Sequence, residues 1–190
     1  MTSSAHGLRP PLPARSLLPN LLSLSRVLLA PFAVRAVLLG QWRQAVVIFA
    51  AAGITDVLDG FLARWWRVST QLGAYLDPAA DKILLSATFV ALGSARALPW
   101  WLVGIVLARD LLILAGAGVA MLTRRRRDFP PSVWGKLSTF LQSAAAGAAI
   151  LARAWPETGM AYLTPPLIWL AAGGTVFSGL DYARRGSAAR

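Results

Sequence analysis

Four of the eight acidic residues of this 190-residue chain lie in one stretch, DVLDGFLARWWRVSTQLGAYLDPAAD. The four carboxylates are Asp56, Asp59, Asp77 and Asp81, and the stretch has no histidine or cysteine. Such an all-oxygen ligand set suits Mg²⁺, Mn²⁺ or Ca²⁺ better than zinc or copper. Carboxylates that hold two divalent ions are a standard arrangement for phosphoryl-type displacement, because the metals stabilise the attacking and leaving oxygens. These residue types indicate a hard-metal site.

The first half of the stretch has one narrow polar face if it is helical. At about 100° per residue, the two carboxylates share a side with Gly60, Ala63 and Arg64, and the bulky apolar residues fall opposite. Small residues on this face let a large ligand approach the backbone. This separation of polar and small residues from bulky apolar ones predicts a helix that lines a polar cavity.

The second half places Asp77 and Asp81 four residues apart, which is about 40° on a helical wheel, so that they can converge on one ligand. Pro78 leaves two arrangements open. It lies in the first turn of a helix with Asp77 as the N-cap, or it kinks a helix that has already begun near Gly73.

The composition indicates an integral membrane protein, since 56% of the residues are hydrophobic and only 14% are charged, against about 25% in soluble domains. A membrane-spanning helix needs roughly 20 mostly apolar residues. We expect an all-α fold, a six-transmembrane-helix bundle, in which one membrane domain (17–185) lies between an N-terminal tail or surface segment (1–16) and a C-terminal tail (186–190). The predicted spans are 17–39, 44–63, 79–98, 100–122, 134–154 and 161–182.

Basic residues give the orientation of the bundle. Most of them fall at one end, in the N-terminus, the 64–78 and 123–136 connections and the C-terminal tail, whereas only Arg43, Arg96 and Arg153 fall at the other. The positive-inside rule then predicts a multi-pass protein of the cell membrane with both termini and the acidic stretch on the cytoplasmic side. Because the basic residues lie between apolar segments, the net charge of +11 does not indicate a nucleic-acid partner.

The carboxylates by themselves leave several functions open. Acidic residues within a membrane form ion pairs, relay protons or line cation pathways. An enzyme, a divalent-cation transporter and structural pairing each remain compatible with four aspartates.

The full spacing, D-x2-D-G-x2-A-R-x8-G-x3-D-x3-D from Asp56 to Asp81, resembles the signature of the CDP-alcohol phosphatidyltransferases. Three other segments, LLPNLLSLSRVLLAP, ARDLLI and SVWGKLSTFLQ, are similar to parts of the bacterial phosphatidylglycerophosphate synthases and the related cardiolipin synthases. A cation-transport function would not explain why glycine, alanine and arginine occupy these positions of the motif. A non-catalytic scaffold gives no reason for an intact motif.

The resemblance implies a six-helix membrane enzyme, usually a homodimer among membrane lipids. An acceptor hydroxyl would attack CDP-diacylglycerol and CMP would leave. Two Mg²⁺ or Mn²⁺ ions would be held by the aspartates, and Asp81 would contribute to the metal site or act as the general base. The family roles carried over by position are these: metal ligands Asp56, Asp59, Asp77 and Asp81; CDP-lipid-binding residues Asp56, Gly60, Ala63, Arg64 and Gly73, with Arg64 on the pyrophosphate.

The acceptor is less well defined by the sequence. Arg109 and Asp110 have two interpretations. In one they form a buried ion pair, and in the other Arg109 faces the acceptor phosphate with Lys136 as a second cation. Phosphatidylglycerophosphate synthases usually carry "RE" where this chain has "RD", followed by another base that is missing here before Thr123. This difference weakens the case for glycerol 3-phosphate as the acceptor and favours phosphatidylglycerol. Both glycerol-type acceptors stay open, and inositol phosphate or serine is less favoured.

Overall fold

The computed structural model describes the backbone of residues 17–66, 71–122 and 133–187, and the side chains of 28–55, 57–58, 82–115 and 133–184. Every regular element in these ranges is helical, and no strand occurs in them. The all-α expectation is therefore confirmed for this part of the chain. The helices are α1 (Leu17–Leu38), α2 (Trp42–Trp66), α3 (Gln71–Ser94), α4 (Trp100–Leu122), α5 (Val133–Ala154) and α6 (Met160–Ser187), with a short 3₁₀ helix at Pro156–Thr158.

The start of α3 differs most from the sequence prediction. The third helix begins at Gln71 and not at residue 79, and α2 continues to Trp66. The predicted 64–78 connection is therefore too long, and Asp77 and Pro78 lie within α3. Of the two arrangements left open for Pro78, the helix that begins before the proline is the one observed. The residues before Pro78 are mostly good helix formers, and an internal proline removes a single backbone donor, so the helix extends through it.

The helices pack around a core that is rich in small residues. Helix α1 packs against α2 and α3, α4 packs against α6, and α2 packs against α5. The most extensive pairing joins α5 and α6, where Ala145, Ala149 and Ala171 are buried. A Cβ on Gly174 would lie 3.0 Å from the Leu141 side chain and 3.7 Å from the Cα of Ser138. Small residues let helix backbones approach closely, which is how packing is gained between apolar helices.

Polar side chains also join α5 to α6 inside the core. Gln142 Nε2 donates to Thr175 Oγ1 at 2.8 Å and to Ser138 Oγ at 3.2 Å. Thr175 Oγ1 in turn donates to the carbonyl of Ala171 at 2.6 Å. Gln142, Ser138 and Thr175 are all fully buried. The cluster fixes the register of the two helices that carry much of the cavity described below.

Large apolar side chains point outwards on several helices. Leu111, Leu112, Phe140 and Trp169 are each between 65% and 70% exposed. Within the described ranges, one segment, Met160–Arg184, has the length and hydropathy of a membrane-spanning helix. Three other apolar helical segments there are shorter: Leu28–Leu38, Trp42–Thr55 and Lys82–Ser94.

Candidate active site

A cavity of about 660 Å³ opens between five of the helices. Helix α2 contributes Gly53 and Val57, α3 contributes Lys82, and α4 contributes Arg109. The rest of the wall comes from α4, α5 and α6: Ile113, Gly135, Lys136, Thr139, Phe140, Ser143, Ser178 and Tyr182. The wall is thus mostly apolar, with hydroxyl groups and three cationic side chains, which is the mixture that an amphiphilic phosphate compound requires.

Arg109 is held in the wall by two helices. Its Nη1 donates to Asp110 Oδ1 at 2.8 Å, and its Nη2 donates to Ser178 Oγ of α6 at 3.0 Å. The side chain passes small residues on both flanks, since a Cβ on Gly135 would lie 3.5 Å from Nη2 and Gly179 lies beside Cγ. Arg109 is only 6% exposed, and its buried Nε has no hydrogen-bond partner among the described residues. The contacts of Nη1 and Nη2 therefore fix the direction of the guanidinium.

Asp110 joins α4 to α3. Its Oδ1 accepts from Lys82 Nζ as well as from Arg109, and Asp110 itself is 5% exposed. Its Oδ2 is buried and has no hydrogen-bond partner among the described residues. Burial of an unpaired charge is costly, and shared charge-assisted hydrogen bonds offset that cost. The predicted ion pair of Arg109 with Asp110 is therefore present. Arg109 also lines the cavity, and its contact with an acceptor phosphate stays a prediction.

Lys136 supplies the third cation. It lies near the start of α5 on the open side of the cavity, where it is exposed. With Lys82 and Arg109 in the wall and Asp110 behind them, the described part of the site carries a net charge of two positive units. A doubly charged phosphate group would be matched by this balance.

The cavity lies next to the acidic motif in the chain. Val57 and Lys82 in its wall directly follow Asp56 and Asp81. The backbones of the motif residues lie in α2 (Asp56, Asp59, Gly60, Ala63, Arg64) and α3 (Gly73, Asp77, Asp81), and their side chains lie outside the described residues. The side chains that the structure does describe include no cluster of three potential metal ligands. The aspartate metal site thus stays a prediction.

Sequence reasoning missed Lys82, Ser178 and the role of Asp110 as a bridge. A signal for Lys82 was present, since a lysine directly after the last motif aspartate needs a nearby anion if its helix is apolar. No comparable signal marks Ser178, because its contact with Arg109 spans 69 residues of sequence.

An apolar groove of about 460 Å³ adjoins the cavity along α2. Gly53 and Val57 line both spaces. The other groove residues are Phe49, Ala50, Ile54 and Leu58. No described residue lies within 4 Å of a Cβ built on Gly53, so no described side chain separates the charged cavity from the groove at this residue.

The described part of the chain is a helical bundle with outward-facing apolar side chains, a cationic cavity and an adjoining apolar groove. The comparison with family models gives the particular class. The model for CDP-alcohol phosphatidyltransferases matches residues 16–177. The chain belongs to this family, and it is therefore an enzyme, a transferase of phospholipid synthesis. The cation-transporter hypothesis is set aside.

The relatives fall into two groups. The chain is 36% identical over 176 residues to the "Probable phosphatidylglycerophosphate synthase" of Mycobacterium tuberculosis, covering 88% of this chain and 80% of that protein. It is 37% identical over 175 residues to the "CDP-diacylglycerol--glycerol-3-phosphate 3-phosphatidyltransferase" of Shigella flexneri, covering 87% and 92%. It is 33% identical over 155 residues to the "Probable cardiolipin synthase (CMP-forming)" of Drosophila melanogaster, covering 73% and 48%. The resemblance inferred from the motif is confirmed.

Proposed function

We propose that this enzyme transfers a phosphatidyl group from CDP-diacylglycerol to the hydroxyl of a glycerol-type acceptor and releases CMP. The observation that carries the proposal is the cationic cavity beside the acidic motif, with Lys82 of its wall directly after Asp81. Family membership supports the donor class. The acceptor, the metal and the roles of individual residues are parts of the same proposal.

Asp56, Asp59, Asp77 and Asp81 would hold two Mg²⁺ or Mn²⁺ ions. The donor set fits these metals because it consists of carboxylates alone. Three-residue spacing on α2 and four-residue spacing on α3 let each pair share a helix face. When bound, the metals would offset negative charge on the phosphate groups of the donor.

The chain's own residues would bind the donor and move the proton. The Arg64 guanidinium would bind the pyrophosphate, and Asp56, Gly60, Ala63 and Gly73 would form the CDP pocket. Asp81 would accept the proton of the acceptor hydroxyl, since a hydroxyl is a poor nucleophile until a base removes its proton. The phosphorus–oxygen bond to CMP breaks as the bond from the acceptor oxygen forms.

We propose glycerol 3-phosphate as the first acceptor. Its phosphate monoester carries close to two negative charges at neutral pH. The three cations of the described wall together with Asp110 behind them carry a net charge of two positive units. Arg109 and Lys136 would bind this phosphate, with Lys82 close by. Lys82 adds a cation beside the "RD" segment, which has no further base before Thr123. Two relatives matched over most of their length are named for this reaction.

Phosphatidylglycerol is the second candidate acceptor. The apolar groove shares Gly53 and Val57 with the cavity, so a lipid headgroup in the cavity would have space beside it for an acyl chain. The relative from Drosophila melanogaster carries the name of a cardiolipin synthase. The product would then be cardiolipin.

We further propose that all six helices span the membrane, with both termini and the acidic motif on the cytoplasmic side. The helices contain 22 to 28 residues, or roughly 33–42 Å at 1.5 Å per residue, and a bilayer core is about 30 Å thick. Outward-facing Leu111, Leu112 and Trp169 support this arrangement. A homodimer in membrane lipid is also expected and is tested by cross-linking in nanodiscs.

The test is a reaction of the purified protein with CDP-diacylglycerol and Mg²⁺, with each acceptor supplied separately. Mass spectrometry identifies the lipid product and CMP is quantified. We expect phosphatidylglycerophosphate with glycerol 3-phosphate. If phosphatidylglycerol is the only acceptor that reacts and cardiolipin is the product, phosphatidylglycerol replaces glycerol 3-phosphate as the proposed acceptor. CMP release that requires inositol phosphate or serine would overturn both glycerol-type acceptors.

A further inference from the structure

A second cavity lies at the end of the bundle opposite the acidic motif. Its volume is about 340 Å³, and its wall comes from residues 40–44, at the α1–α2 connection, and from Arg153 and Ala154, at the end of α5. Trp42 in this wall and Asp56 are roughly 21 Å apart along α2, at 1.5 Å per residue. The cavity shares no lining residue with the candidate active site.

Three helix connections are tied together at this cavity. Arg153 Nη2 donates to the carbonyl of Arg96, between α3 and α4, at 2.8 Å. The Arg153 guanidinium also lies over the Trp42 ring, 5.4 Å from its centroid, and the Arg43 guanidinium lies over Trp155 at 5.9 Å. Contact through the guanidinium face directs the arginine and leaves N–H groups at its edge able to donate.

The polar side chains of the wall favour an anion. They are two arginines, Arg43 and Arg153, the amides of Gln41 and Gln44, and the indole of Trp42, with no carboxylate among them. Neither arginine forms an ion pair with a carboxylate of the described residues. Guanidinium groups bind phosphate oxygens with good geometry and strong charge-assisted hydrogen bonds.

We propose that this cavity binds the phosphodiester headgroup of an anionic phospholipid in the leaflet opposite the active site. The inference rests on the proposed membrane-spanning arrangement. Trp42, Trp155 and the exposed Trp100 lie at this end of the bundle, and tryptophan is enriched at the depth of lipid headgroups. A lipid, rather than a soluble phosphate, is the occupant because Trp42 in the cavity wall can contact the apolar part of the same molecule.

Protection of an introduced thiol tests the proposal. The chain has no cysteine, so Gln44→Cys places a single thiol on the cavity wall. The full-length variant is placed in phosphatidylcholine nanodiscs with or without phosphatidylglycerol, and the rate of labelling by an uncharged maleimide is measured. Arg35→Cys, at an exposed position of α1 outside the cavity lining, is the matched control for surface effects.

We expect phosphatidylglycerol to slow labelling of the Gln44→Cys thiol about fivefold, because only the unoccupied fraction reacts, and to leave the Arg35→Cys rate unchanged. Adding Arg43→Gln should raise the phosphatidylglycerol content required for the same protection about fivefold, the usual effect of one base near a membrane surface. Equal protection in pure phosphatidylcholine, equal protection by soluble glycerol 3-phosphate, or no protection would each overturn the proposal. Transferase activity of the same samples is measured separately, so a failed proposed function leaves this result interpretable.

Discussion

Replacement of Asp110 by asparagine tests whether the buried charge bridge holds α3 and α4 together. In the native protein Asp110 Oδ1 accepts from Lys82 and from Arg109, and Asp110 and Arg109 are only 5% and 6% exposed. Asp110→Asn keeps the side-chain volume and removes the negative charge. Two cations then face each other across an amide in a wall that is largely shielded from water.

The size of the effect lies between two limits. Removing one partner of a buried ion pair costs about 3–5 kcal/mol in soluble proteins, whereas polar contacts between membrane helices average about 0.6 kcal/mol. The Lys82 side chain is 23% exposed and both cations line a cavity, which lowers the cost below the first limit. Burial of Arg109 keeps it above the second. We expect a loss of about 2–3 kcal/mol in the free energy of unfolding.

Reversible unfolding in mixed micelles, followed by circular dichroism, measures this loss. Arg109→Gln and the double variant complete a double-mutant cycle, and the expected coupling is about 1–2 kcal/mol because the two residues are in contact. Glu157→Gln is the matched control, since Glu157 is exposed, and it should change stability by no more than about 0.5 kcal/mol. A loss below about 1 kcal/mol for Asp110→Asn, together with additive single effects, would refute the bridge.

Three further predictions concern the metal, the acceptor and helix packing. Chelation by EDTA should abolish activity, and Mg²⁺ or Mn²⁺ should restore it; activity without metal would contradict the carboxylate site. The Asp81→Asn variant should stay folded in the membrane but release no CMP. Lys136→Gln should raise the KM for glycerol 3-phosphate about tenfold, the effect expected for one lost charge-assisted hydrogen bond at an exposed position. The KM for CDP-diacylglycerol should not change. Equal changes in the two KM values would argue against an acceptor role for Lys136. Gly174→Ala should be less stable than Gly173→Ala, because a Cβ at 174 would lie 3.0 Å from the Leu141 side chain and force it to move, whereas a Cβ at 173 would meet no described residue within 4 Å. Gly173→Ala should raise stability by up to about 1 kcal/mol through helix propensity. The reverse order would refute the close α5–α6 contact.

The sequence alone determined the reaction class. The eight specified positions of the motif lie within 26 residues, and the family that they indicate is the one that the comparison found. Helix periodicity and composition were also sufficient for the all-α fold, because both are local properties of the chain. The start of α3 was the main local uncertainty. The predicted span began at residue 79, whereas the alternative of a helix already begun near Gly73 agrees with the observed start at Gln71.

Only the tertiary structure decided how the cavity is built. The Lys82–Asp110 contact joins residues 28 apart in sequence, and the Arg109–Ser178 hydrogen bond joins residues 69 apart. Such contacts depend on which helices are neighbours and at what register, and a single sequence does not specify these. Periodicity assigns Arg109 to a face of α4, but the packing of α3, α5 and α6 around that face turns a buried ion pair into the cationic wall of a cavity.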